Sequence, residues 1–306
     1  MERSREARAY NLNNNRERGP VRLWISRTHR APKPIQQLRP LKQTIKPLLR
    51  WAGSKRKLLP VLRQAAPPQF SRYVEPFCGS ACFYLELVPN LGLLGDINSE
   101  LIHFYKRVRL HPHMVGKLFH SMPTTERFYY DLRAVEPTSM GANERAARFL
   151  YLNRFCFNGV YRTNRAGAFN VPRGVRVGAL PSLDEITTFG RTLRGAEVRV
   201  GDFESTLAEC GAKDFVYLDP PYAGRGVRNR GEYGANSFAE VDVVRLRNSL
   251  EIASSRGAKI LISYGDVAVV REAFSDWRVS ELTVGRNVSG FLHGRRDVQE
   301  LLITNY

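Results

Sequence analysis

The chain predicts an α/β fold, a sheet flanked by helices and interrupted by one inserted, mainly helical subdomain. Three observations predict it. Short apolar runs of strand length recur along the chain, helical segments fall between them, and a stretch from about 110 to 190 breaks that alternation.

Residues 1–47 carry 12 basic and 3 acidic side chains, an Asn13-Asn14-Asn15 run, and Pro20, Pro32, Pro34, Pro40 and Pro47. No helical or strand period runs through them, which predicts a flexible basic extension able to touch phosphate. An inert leader is equally compatible. From residue 48 the rhythm begins. Tyr73-Val74 and Leu91 to Leu94 read as buried strands. A helix follows a cap at Asn98 or Ser99, with Leu101, Ile102, Tyr105 and Val108 on one face. Residues 111–190 form the insertion, helical at first and then rich in Gly, Asn and Arg. Phe215 to Leu218, Ile260 to Ile262 and Leu301-Leu302-Ile303 complete the strands, so 48–110 and 191–306 form the main domain. In such sheets ligands bind beyond the carboxyl ends of the strands.

Lys and Arg number 47 against 29 Asp and Glu, a net charge of +18. Half of that excess lies in 1–47 and half in the remainder, so both parts suit a polyanion such as nucleic acid. A merely soluble cationic surface has the same composition. Cys78, Cys82, Cys156 and Cys210 make no metal or redox spacing and read as buried free thiols, consistent with the cytoplasm. No apolar run is long enough for a membrane span or a secretory signal, and Glu2, Glu6 and Glu17 are unlike a transit peptide. His111 and His113 have no carboxylate cluster beside them, so no metal is expected.

Asp219-Pro220-Pro221-Tyr222 follows the strand Phe215 to Leu218 directly. Two prolines fix the backbone and remove two donors, which leaves carbonyl oxygens and a carboxylate as acceptors for an exocyclic amine. Tyr222 offers an aromatic face to a base. A proline-stiffened turn carrying a core tyrosine would read the same. Asp96, after Leu93-Leu94-Gly95, suits the two hydroxyls of a ribose or else a helix cap. Residues 153–176 interleave Arg154, Asn158, Arg162, Asn164, Arg173 and Arg176 with Phe155, Phe157 and Phe169. Arg and Asn read guanine and adenine edges, and aromatics wedge into a stack; a solvated loop is the plainer alternative.

Several blocks together resemble DNA adenine-N6 methyltransferases of the Dam type (D12 class). They are Leu49-Arg50-Trp51-Ala52-Gly53-Ser54-Lys55, Glu75-Pro76-Phe77-Cys78-Gly79-Ser80-Ala81, Gly95-Asp96-Ile97-Asn98, the Asn153 to Pro172 block, Gly201-Asp202-Phe203 and Asp219-Pro220-Pro221-Tyr222. The resemblance spans 48–306 and implies a Rossmann-like S-adenosylmethionine (SAM)-dependent sheet carrying a target-recognition insertion. It implies SAM as methyl donor without a metal, double-stranded DNA as substrate, and a companion restriction endonuclease as a conceivable partner. By the same resemblance Asp219, Pro220 and Tyr222 are catalytic. Trp51, Lys55, Phe77, Gly79, Asp96, Asp202, Phe203 and Asp219 line the SAM site, with Lys55 meeting the carboxylate of SAM. Arg50, Arg154, Phe157, Asn158, Arg162 and Asn164 face DNA, with GATC the expected site. Cytosine-N4 methylation, RNA methylation and a catalytically impaired DNA-binding protein are the alternatives. Two positions depart from the pattern. Ala81 replaces the last glycine of F-x-G-x-G, which is tolerable if Ala81 is helical, and Ser54 stands where glycine is common.

Overall fold

Apolar runs covered on both faces become the central strands of one seven-stranded sheet, and two partly exposed segments form its edges. A computed structural model describes residues 36–37, 45–222, 238–287 and 295–306. The strands are β1 (Arg72–Glu75), β2 (Gly92–Asp96), β3 (Ala196–Val200), β4 (Asp214–Leu218), β5 (Lys259–Gly265), β6 (Arg278–Asn287) and β7 (Arg295–Thr304). Their spatial order is β3-β2-β1-β4-β5-β7-β6. β1 to β5 run parallel, whereas β7 lies antiparallel between β5 and β6. The order reverses between β1 and β4, so the loops leaving those two strands border the crevice where such sheets take ligands.

Alternation divides each strand between two apolar layers. In β4, Phe215 and Tyr217 enter one layer and Val216 and Leu218 the other. The first layer is covered by α1 (Leu59–Ala65), α2 (Cys82–Leu87) and α3 (Ser99–Leu110), the second by α8 (Phe203–Leu207), α9 (Glu240–Ser255) and α10 (Ala268–Ala273). The cap expected before α3 is Asn98, whose side chain accepts from Leu101 N at 3.0 Å.

The insertion holds α4 (Pro112–Ser121), α5 (Glu126–Ala134) and α6 (Ala142–Phe155), then an irregular segment, then α7 (Leu183–Thr192). Ala146, Leu150, Ile186 and Phe189 share the first layer with Tyr73 and Phe215, so sheet and insertion are cemented by one continuous core. One compact unit, Pro34–Tyr306, contains both. Gln36–Gln37 pairs antiparallel with Gln69–Phe70, and Ile45 packs on the core. A two-residue ladder is too short to show a period in sequence. Residues 1–35 lie outside the described residues.

All four cysteines are free and buried. Among the described residues no helix is long and apolar enough to cross a membrane, and no group of three or more His, Cys, Asp or Glu could hold a metal ion.

Candidate active site

Where the loops after β1, β2 and β4 meet, they enclose a cavity of about 1210 Å³. That is room for a nucleoside cofactor together with a base. Its first wall is the β1 loop. Gly79 has φ of +43°, and a Cβ there would stand 2.7 Å from Trp51 Cδ1, so the indole lies directly against the backbone. Gly79 N donates to Asp96 Oδ2 at 3.0 Å, and Asn98 N donates to Oδ1 at 2.9 Å. Burial pushes the Asp96 carboxyl up to about 6, against the pull of those backbone donors. Asp96 is thus held in place from below, at the end of its strand.

Ala81 does not meet the condition set for it. It is not helical: it caps α2 from a left-handed conformation, φ 52° and ψ 32°. Glycine is free to adopt that geometry, whereas alanine adopts it under strain. Ala81 is fully buried, and its methyl packs within the core. Ser54, the other departure, joins the loop through its hydroxyl, which accepts from Ser80 Oγ at 3.2 Å.

An aromatic slot forms the second wall. Phe77 lies 5.4 Å from Phe203 between ring centroids, and Phe238 sits edge-on to Phe77 at 5.9 Å. Arg245 covers Phe203 at 5.0 Å. Phe203 is brought here by Asp202, the cap of α8, which accepts from Glu204 N at 3.0 Å and faces Arg245 Nη2 at 3.3 Å. Sequence reasoning missed Phe238, which stands far from every recognised block and offers no local signal.

The third wall is the Asp219 loop. Lys55, only 5% exposed, places Nζ 2.6 Å from Asp219 Oδ1, 3.0 Å from the Tyr222 hydroxyl and 3.7 Å from Glu300 Oε2. Burial alone would lower the lysine's pKa, but the fields of Asp219, Tyr222 and Glu300 together raise it above its ordinary value. Lys55 is therefore a charged ammonium anchored on Asp219. Tyr264 donates to Pro221 O at 3.1 Å and packs its ring 5.1 Å from that of Tyr222. Neither Tyr264 nor Glu300 was legible as a site residue. Their one sequence signal is a polar group inside an otherwise apolar strand run.

The residues expected to face DNA divide into two groups. Phe157 is 53% exposed, and Asn158 beside it adopts φ 54°, a conformation asparagine tolerates. The other group is engaged internally. Arg50 donates to Val177 O, and Arg154 donates to Ala179 O and, at 3.3 Å, to Leu48 O. Arg162 Nε donates to Asn170 Oδ1 at 2.8 Å. Asn164 Oδ1 accepts from Ala166 N and Ala168 N, both at 3.0 Å, and so shapes its own turn. Of these six residues only Asn164 lines the cavity, whereas every expected catalytic and cofactor residue does so.

A sheet whose crevice holds an acidic strand end, an aromatic slot and a carboxylate–proline loop defines a nucleoside-binding α/β enzyme. Residues 51–289 match the family model of D12 class N6 adenine-specific DNA methyltransferases, and the chain belongs to that family. It is 30% identical over 275 residues to the Type II methyltransferase M1.LlaDCHI of Lactococcus lactis subsp. cremoris, covering 87% of this chain and 97% of that one. It is 32% identical over 260 residues to the DNA adenine methylase of Vibrio cholerae serotype O1, with 83% and 94% covered. The Type II methyltransferase M.MjaIII of Methanocaldococcus jannaschii is 29% identical over 290 residues, with 86% and 99% covered. The protein is an adenine-specific DNA methyltransferase; cytosine-N4 and RNA methylation are not the chemistry of its family.

Proposed function

We propose that the enzyme methylates N6 of an adenine flipped out of duplex DNA, within GATC, with SAM as donor. The observation that carries this reading is the meeting of the Asp219 loop, the Asp96 strand end and the Phe77–Phe203–Phe238 slot in one cavity. The donor set fits SAM. Asp96 presents an acceptor for ribose hydroxyls, the slot suits a purine, and Lys55 is the cation for a carboxylate. SAM supplies an electrophilic sulfonium methyl, which needs no metal.

Adenine N6 is a weak nucleophile because its lone pair is delocalised into the ring. The Asp219 carboxylate and the Pro220 carbonyl accept its two N–H groups, pushing the nitrogen towards sp3 so that its lone pair leaves conjugation with the ring and aims at the methyl. The S–CH3 bond breaks as the N–CH3 bond forms, and one N6 proton is released. The Tyr222 ring stacks on the extruded base and offsets part of its unstacking cost. Catalysis is alignment and electrostatics. Phe157, whose side chain is 53% exposed, fills the gap that the base leaves.

The resemblance of the 153–172 block supports GATC, with Arg162 reading guanine. The Type II names among the relatives suggest a companion endonuclease of the same specificity. The free thiols suit a reducing cytoplasm. Plasmid from an expressing, methylation-free host tests the assignment. It should resist endonucleases blocked by methylated GATC and be cut by those that require it. Unmodified GATC beside N6-methyladenine elsewhere would overturn the site but not the chemistry. A SAM titration tests the impaired alternative, which predicts no binding.

A further inference from the structure

One buried charge at the active site has no part in the mechanism above. Glu300 is 1% exposed and stands on β7 opposite Gly265, the last residue of β5. Because β7 runs antiparallel to β5, the chain's final strand delivers a carboxylate to the end of the sheet where the ligand loops converge. Glu300 Oε1 accepts from the Tyr222 hydroxyl at 3.3 Å, and that hydroxyl accepts from Lys55 Nζ at 3.0 Å. Glu300 Oε2 lies 3.7 Å from the same ammonium, near enough for an ion pair but longer than a hydrogen bond.

This arrangement gives Lys55 two counter-ions of unequal grip. Asp219 holds it at 2.6 Å and Glu300 more loosely. An amine arriving at Asp219 competes with Lys55 for that carboxylate. A buried ammonium cannot be left without a counter-charge. We propose that Glu300 is a positioning residue for methyl transfer, holding Lys55 and Tyr222 in place while Asp219 engages the substrate amine. The inference rests on the roles given to Asp219 and Tyr222 in the proposed function. Glu300 touches neither substrate nor donor and acts through its two neighbours.

The test uses the full chain, duplex DNA and labelled SAM. Glu300→Gln keeps the shape and removes the charge. Its kcat should fall at least about tenfold, as for loss of a group that orients catalytic residues, with KM for DNA within about threefold of wild type. Because part of its effect runs through Lys55, Glu300→Gln should slow the double variant Lys55→Met/Glu300→Gln relative to Lys55→Met by several-fold less than it slows the wild type. Unchanged kcat in Glu300→Gln, or losses that multiply fully in the double variant, overturns the proposal. Should Glu300→Gln fail to fold, Glu300→Asp keeps the charge one methylene further away. A several-fold loss of kcat at wild-type melting temperature then supports the proposal, and full activity overturns it. Asp219→Ala separates the two levels: if that variant remains active, the underlying reading fails. An inactive Asp219→Ala beside a fully active Glu300→Gln removes only the role of Glu300.

Discussion

Gly79→Ala strikes the cofactor site at a single atom. The left-handed backbone at φ +43° costs an L-residue roughly 1–2 kcal/mol. The new Cβ would also meet Trp51 Cδ1 at 2.7 Å and Nε1 at 2.8 Å. Forcing the indole aside is an overpacking cost of about 1–3 kcal/mol. Alanine recovers about 0.4–1 kcal/mol by restricting the unfolded chain. The net loss is centred near 3 kcal/mol, or roughly 6–12 °C of melting temperature at about 2–4 °C per kcal/mol. SAM affinity should fall about tenfold or more, because Gly79 N also holds the Asp96 carboxylate at 3.0 Å. Calorimetry and equilibrium dialysis measure the two effects. In a Trp51→Ala background the steric part disappears, and Gly79→Ala should cost only the backbone component less the unfolded-chain gain, about 1 kcal/mol. An equal cost in both backgrounds would refute the assignment of Trp51 to the loop.

Two further outcomes follow from the site. Asp96, with its carboxyl pushed up to about 6 by burial, accepts ribose hydroxyls well only when ionised. SAM affinity should therefore rise about tenfold from pH 5 to 7, following the ionised fraction, and level off above. A flat profile across that range would count against Asp96 as the ribose acceptor. Asp219→Ala should lose at least about 100-fold in turnover while SAM binding falls less, as for removal of a preorganised polar group; near-normal turnover would dismiss Asp219.

The sheet was legible because strands buried on both faces are written as continuous apolar runs. Phe215 to Leu218 and Ile260 to Ile262 lie within β4 and β5, and Leu301-Leu302-Ile303 within β7. The α3 start was legible because capping is local chemistry between Asn98 and Leu101. What stayed hidden depends on pairing across the chain. Glu300 becomes a site residue only because β7 inserts antiparallel beside β5. Phe238 joins the slot only by tertiary contact with Phe77 and Phe203, and the left-handed turn at Ala81 is a tertiary constraint on a residue with no such preference. The buried thiols and the block order needed no such knowledge.

Two of the arginines expected to face DNA also serve the fold. Arg50 and Arg154 stand in two separate blocks, yet their guanidinium groups bond the carbonyls of residues 177 and 179. Burial, with Arg50 nearby, lowers the pKa of Arg154, the signature of a cation enclosed by its own protein. These bonds pin the segment that follows the recognition block. Arg154→Ala should therefore destabilise the fold by roughly 1.5–3 kcal/mol, the range for hydrogen bonds to a charged group. DNA affinity falls as the segment loosens, but the slope of log K against log salt stays unchanged, because no phosphate contact is lost. Arg165, exposed on the neighbouring 164–168 turn, is the contrast. If it meets phosphate, Arg165→Ala lowers the slope by about 0.9 and leaves melting untouched. A shallower slope with unaltered melting in Arg154→Ala would return that arginine to the DNA surface.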